Sequence, residues 1–187
     1  MEHKSKMSEN NSENQVKNLH DLFESGLKKI LWAEQELIKA LPKMLEQATD
    51  QKLKTAINEH IDQTMDQVLR LETIFESLGK EAKGEKCLAL EGLLKEGEIL
   101  VEQTEPGFTR DACIIASSQK IEHYEIAGYG TLAAFAKILN ERLALDLLLK
   151  TMGEEKKADC LLSTIADTNL NSQAMSDDYQ SKKFKAV

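Results

Sequence analysis

The sequence predicts an all-α fold: a four-helix bundle of two antiparallel hairpins joined by one long crossover, with a short extra helix on that crossover. Three observations carry this prediction. Leu, Ala, Lys and Glu abound in a chain with only 2 prolines, 9 glycines and 5% aromatic residues, a composition that favours helices over sheets. Apolar residues recur at three- and four-residue steps along four long segments, which is the pattern of one buried helical face. The links between these segments alternate short, long, short. At 187 residues and 41% hydrophobic, the chain is long enough for one good core with short tails.

The first long segment runs from about Val16 to Ala48, with Leu19, Phe23, Leu27, Ile30, Leu37, Leu41 and Met44 on one face. Pro42 lies inside this pattern and is a place for a kink. The second runs from about Gln51 and stops at Gly79, with Leu53, Ile57, Leu71, Ile74 and Leu78 as its stripe. KEAKGEK is polar and broken by Gly84, CLALEGLLKEGEILVEQ reads as a short helix, and EPGF as a turn. The third long segment starts near Thr109, which with Asp111 is a candidate cap, and ends near Leu139, where Asn140 permits a tight turn. The fourth runs from about Glu141 to Asn169, carrying Leu145, Leu148, Met152, Leu162 and Ala166.

Segments one and two, and segments three and four, are joined by a few residues each, so each pair forms an antiparallel hairpin. About thirty residues separate the pairs, room for a crossover that makes helices two and three parallel. Two hairpins joined in this way are the ferritin-like arrangement, distinct from an up-down-up-down bundle. The expected organisation is a disordered polar arm over 1–15, the bundle over 16–169, and a polar, then basic, fraying tail over 170–187.

The net charge of −8 argues against a nucleic-acid surface. No apolar run approaches the ~20 residues of a membrane span. The N-terminus has no apolar signal core. Cys87, Cys113 and Cys160 are widely spaced, without a CxxC. They point to a cytoplasmic protein with reduced, buried thiols.

Each core stripe is interrupted by polar groups near its middle. Glu34 stands between Ile30 and Leu37; His60, Thr64 and Gln67 follow Ile57, with Gln63 beside them. Gln119 and Glu122 lie between Ile115 and Ile126; Glu155 and Asp159 lie between Met152 and Leu162. Glu34 lies about fourteen residues before the first hairpin turn and Gln63 about fourteen after it. Glu122 lies about seventeen before the second turn and Glu155 about fifteen after it. At a rise of about 1.5 Å per residue, these offsets agree to within about one helical turn. The polar groups therefore meet in one central layer, which Glu125 reaches from its edge. A lone buried carboxylate is costly or takes up a proton, and several facing each other are worse. Divalent cations relieve this, and carboxylate-rich bundle cores hold iron or manganese.

The chain resembles the YciE/YciF family of bacterial ferritin-like stress proteins over about Leu19 to Asp167. AEQELIKALPKM, EHIDQTMDQVLRLE, KCLALEGLLKEG, QKIEHYEIAGYGTL and GEEKKAD carry the resemblance. It implies a homodimer of ferritin-like bundles, each with an extra short helix and a di-metal site of Fe or Mn. By position the candidate ligands are Glu34, Gln63, Gln67, Glu122, Glu125, Glu155 and Asp159, with His60 near. Two departures follow from the chain itself. Gln63 is neutral where the family tends to have an acid, and neither Asp62 nor Glu155 is followed three residues later by His. The implied site is thus a degenerate one, with a metal- or peroxide-handling oxidase or peroxidase-like activity. The alternative is a non-catalytic dimeric interaction protein whose polar layer holds no metal.

Overall fold

The structure, a computed structural model, describes residues 16–176. Its elements in chain order are α1 (Leu19–Gln47), α2 (Gln51–Ser77), α3 (Leu88–Glu102), α4 (Phe108–Leu139) and α5 (Arg142–Ile165). A π-helical turn follows at Ala166–Leu170. The architecture is all-α and ferritin-like: α1, α2, α4 and α5 form the bundle and α3 is the extra helix. The expected arm over 1–15 lies outside the described residues, as does the last part of the expected tail. Residues 171–176 are helical, so the helix continues where fraying was expected.

The termini follow from local chemistry. Asn18 caps α1 by accepting from the Asp21 N–H at 3.0 Å. Asp50 caps α2 by accepting from Lys52 N at 2.8 Å and Leu53 N at 2.9 Å. Gly79, at φ 64°, closes α2. Its own N–H reaches Glu76 O and the Lys80 N–H reaches Phe75 O, the paired bonds of a Schellman motif. Asn140 takes the left-handed conformation, φ 61°, between α4 and α5. α1 runs unbroken through Pro42; Leu37 and Leu41, both before it on the helix, are buried, and that packing offsets the one backbone bond lost.

The pairing of the helices fixes their directions. Thr49, just after α1, meets Asp111 at the start of α4, while Gly26 near the start of α1 faces Leu132 near the end of α4. α1 and α4 are therefore antiparallel. His60 lies beside Glu155 and Arg70 beside Thr151, so α2 and α5 are antiparallel too, and α2 runs parallel to α4. The crossover returns along α1, where Glu85 N donates to Lys28 O at 3.0 Å. α3 then packs on α4 and touches α1. Gly128 of α4 permits a close approach of α1, since a Cβ there would come within 3.2 Å of Ile30 Cδ1.

Apolar layers occupy both ends of the bundle. One gathers Leu27, Leu71, Ile74, Phe75, Ala136 and Leu148; the other gathers Leu41, Leu53, Ile57, Ile114 and Leu162. Each such Leu, Ile or Phe contributes about 1.5–3 kcal/mol on full burial. The expected burial of the thiols holds for Cys87 alone; Cys113 is half-buried and Cys160 exposed.

Asp111 corrects one sequence expectation. It does not cap its own helix, whose N-cap is Gly107 without a side-chain bond. Fully buried, it accepts instead from Thr49 N at 2.7 Å, Thr49 Oγ1 at 2.6 Å and Asp50 N at 2.8 Å. The carboxylate ties the first hairpin turn to α4 across 62 residues of chain. Asp111→Ala should lower unfolding stability in urea by about 3 kcal/mol, because three donors lose a charged acceptor. Asp111→Asn, which keeps one acceptor oxygen, should lose less. A loss no larger than that of a surface substitution would mean the turn is held by other contacts.

Candidate metal centre

Midway along the bundle the apolar core gives way to acids. α1 supplies Glu34, α2 supplies His60, Thr64 and Gln67, α4 supplies Glu122, Glu125 and Tyr129, and α5 supplies Thr151 and Glu155. Glu34, Glu125 and Glu155 are 0% exposed, Glu122 3% and His60 8%. Glu122 and Glu125 are three apart on one helix, so they lie one above the other on the same face. One ligand atom from each of His60, Glu122, Glu125 and Glu155 lies within 4.8 Å of all the others.

Two of the acids are oriented by neutral donors. The Tyr129 hydroxyl donates to Glu34 Oε1 at 2.5 Å. The Gln67 amide donates to Glu155 Oε1. Behind Gln67 stands a second ring of contacts. Arg70 holds Glu154 through both guanidinium nitrogens, at 2.6 and 3.0 Å, and reaches Thr151 Oγ1 at 2.7 Å. His60 Nε2 is 3.5 Å from Glu122 Oε1 and 3.9 Å from Glu155 Oε2. Among the described residues, five buried carboxylate oxygens have no hydrogen-bond partner: Glu34 Oε2, Glu122 Oε2, both oxygens of Glu125, and Glu155 Oε2.

The electrostatics follow from burial and like charge. Burial, reinforced by the Glu155 carboxylate, pushes the Glu34 carboxyl up to about 8, against a smaller opposing effect of the Tyr129 hydroxyl. Burial and then Glu155 hold Glu122 well above the usual carboxylate range. Burial does the same to Glu125, with Glu34, Glu155 and Glu122 adding to it. Burial also raises Glu155, opposed mainly by His60. The cluster of carboxylate oxygens with one imidazole could hold a metal ion, and the unpartnered oxygens are what a cation would take up.

Of the sequence candidates, Glu34, His60, Gln67, Glu122, Glu125 and Glu155 come together in this layer. Gln63 and Asp159 do not. Gln63 is exposed, one step round α2 from His60 and Thr64. Asp159 is half-buried one turn beyond Glu155, where it accepts from Gln119 Nε2 at 3.1 Å and sits 3.4 Å from exposed His123. Glu125 is not at the edge but at the centre. Its phase was hard to read because α4 packs against α1, α3 and α5, which widens its buried arc beyond one stripe. Arg70 and Thr151 are not among the sequence candidates: a single arginine or threonine on a helix leaves no pattern in sequence.

Fold and cluster together define a ferritin-like bundle protein with a carboxylate-rich core. The chain belongs to the family described as "Domain of unknown function (DUF892)", whose model matches residues 18–175. It is 40% identical over 160 residues to "Protein YciF" of Escherichia coli (strain K12), covering 85% of this chain and 96% of that protein. The crystal structure of the E. coli stress protein YciF is similar at a TM-score of 0.80 and 40% identity, over 83% of this chain and 99% of that one. The structure of YcfI from Rhodopseudomonas palustris is similar at a TM-score of 0.79 and 39% identity, over 80% of this chain and 96% of that one.

The raised carboxyls set a pH dependence. Glu34 binds its proton more tightly folded, at about 8, than at its ordinary 4.5. The metal-free protein therefore loses stability as pH rises from about 4.5 to about 8, and the other raised glutamates act with the same sign. Chelator-treated protein should melt lower at pH 8.5 than at pH 6 in buffers of equal ionic strength. A melting temperature that rises over this range would contradict the charge assignment.

Proposed function

We propose that the chain is a di-iron or di-manganese carboxylate protein that handles metal or peroxide in a stress response, acting in the cytoplasm as a homodimer. The observation that carries this is the set of unpartnered, buried glutamate oxygens on α1, α4 and α5 facing His60 of α2. Glu34, Glu122, Glu125, Glu155 and His60 would hold the ions. When bound, the ions supply Lewis acidity and one-electron redox capacity in a core that excludes bulk water. Tyr129 and Gln67 each occupy one oxygen of a glutamate, Glu34 and Glu155, and leave the other free. Arg70 and Glu154 steady the region around Gln67. Such outer contacts orient ligands and tune their basicity.

The homodimer is what the family resemblance implies, and the cytoplasmic setting rests on the three widely spaced cysteines without a CxxC. Among the described residues no helix is long and apolar enough to cross a membrane. A groove between α1 and α4, lined by Leu22, Gly26, Ile30 and Phe135, offers apolar surface for a second copy. A single species of monomer mass in sedimentation would remove the dimer.

A second reading has its own support. The Tyr129–Glu34 and Gln67–Glu155 bonds and the raised carboxyls also suit a metal-free layer in which protons neutralise the acids. The bundle would then serve as an interaction module. Elemental analysis of protein purified without chelator, combined with melting in excess Mn²⁺ or anaerobic Fe²⁺, separates the two. The metal reading expects bound metal and, at a hundredfold excess over Kd, about 2.7 kcal/mol of added stability, or about 5–10 °C for a chain of this size. Glu34→Gln with Glu122→Gln should abolish that increment and leave the metal-free protein as stable or more so, since repulsion is relieved. No metal and an unchanged melting temperature would favour the proton-neutralised layer.

A further inference from the structure

Glu34, Glu125 and Glu155 of the carboxylate layer are sealed from solvent. The cavity under α3 and the groove between α1 and α4 include none of His60, Glu122, Glu125 or Glu155. One cleft between α2 and α5 differs. It encloses about 100 Å³ and its walls include both His60 and Glu122. These are the two cluster residues that keep residual exposure, 8% and 3%, while Glu34, Glu125 and Glu155 keep none. Each also has an unpartnered buried atom, His60 Nδ1 and Glu122 Oε2. The cleft's outer lip carries Glu59, Gln63 and Lys157, all exposed. It shares Ala56, Glu59 and Leu161 with a wider surface groove of about 400 Å³ along the same two helices.

We infer that this cleft is the route by which divalent cations pass from solvent to the central layer, with Glu59 and Gln63 at the mouth and His60 and Glu122 as the inner gate. The inference rests on the metal reading given above and adds the path and its residues. A cavity of this size holds several waters, so an ion keeps part of its hydration while it moves inward. Glu59, Gln63 and His60 follow one another on a single side of α2, which lines one wall with oxygen and nitrogen ligands. The exposed Glu59 carboxylate attracts a cation, and Lys157 on the α5 lip opposes it. The balance of the two sets the uptake rate and leaves the final affinity to the buried glutamates. This gives Gln63 a place at the threshold of the site, a turn away from the carboxylates it was expected to join.

The test is rapid mixing of the metal-free protein with Co²⁺, followed by the visible absorption of the bound ion. Ala158→Phe, which fills the cleft wall, should slow uptake about tenfold with unchanged final stoichiometry and affinity. Glu59→Gln should slow it about threefold at low salt, and the difference should vanish at high salt. Ala127→Phe, in the groove between α1 and α4, should leave the rate unchanged. If Ala158→Phe does not fold by circular dichroism, the salt-dependent slowing by exposed Glu59→Gln decides the matter. Wild-type uptake with rates unaffected by either cleft substitution overturns the route and leaves the metal reading standing. No Co²⁺ binding by the wild type overturns both.

Discussion

Four glutamates share one buried layer, and the rest of the molecule is arranged around that constraint. Two like charges about 4 Å apart repel by about 4 kcal/mol at an effective dielectric of about 20. A few such pairs rival the 5–15 kcal/mol that holds a domain folded. Glu34, Glu122, Glu125 and Glu155 therefore cannot all be ionised in the folded chain without positive charge among them. Protons and metal ions are the two candidates. The raised carboxyls express the first, and the unpartnered oxygens define the space for the second.

The apolar layers above and below make such a centre tolerable. Leu27, Phe75 and Leu148 on one side and Leu53 and Ile114 on the other are all but sealed from water. Their burial supplies the stability that the acids consume. The buried Asp111 bonds and the crossover lying on α1 fasten the two hairpins to each other. The helices cannot easily spread to let water solvate the layer. The repulsion is held in place, and the cluster keeps the geometry that could hold a cation.

α4 has a special share in this. It packs against α1, α5 and the extra helix α3, so more of its circumference is inside than for its neighbours. That is why two of its glutamates, 122 and 125, face the core together and why Tyr129 reaches Glu34 from the same helix. α2 contributes no buried acid, only His60 and neutral Thr64 and Gln67. The asymmetry leaves its side of the layer less charged, and the cleft toward solvent opens on that side, between α2 and α5.

Much of the fold was legible in sequence. Helix number, hairpin pairing, the crossover with its extra helix, and the turns at Gly79 and Asn140 all follow from local periodicity and backbone preference. The shared depth of Glu34, His60, Gln67, Glu122 and Glu155 followed as well, because rise per residue is constant and the hairpin turns set a common origin. Azimuth is a different matter. Whether Gln63 or Thr64 faces inward, whether Glu125 is at rim or centre, and whether Asp159 joins Glu155 depend on rotations of a few tens of degrees about each helix axis. Packing of neighbouring helices decides those rotations, and a helix with three neighbours has no single stripe to read. The long-range roles of Asp111 and Arg70 were hidden for a related reason. Each acts on residues more than sixty positions away, and only the assembled bundle brings such partners within hydrogen-bond distance.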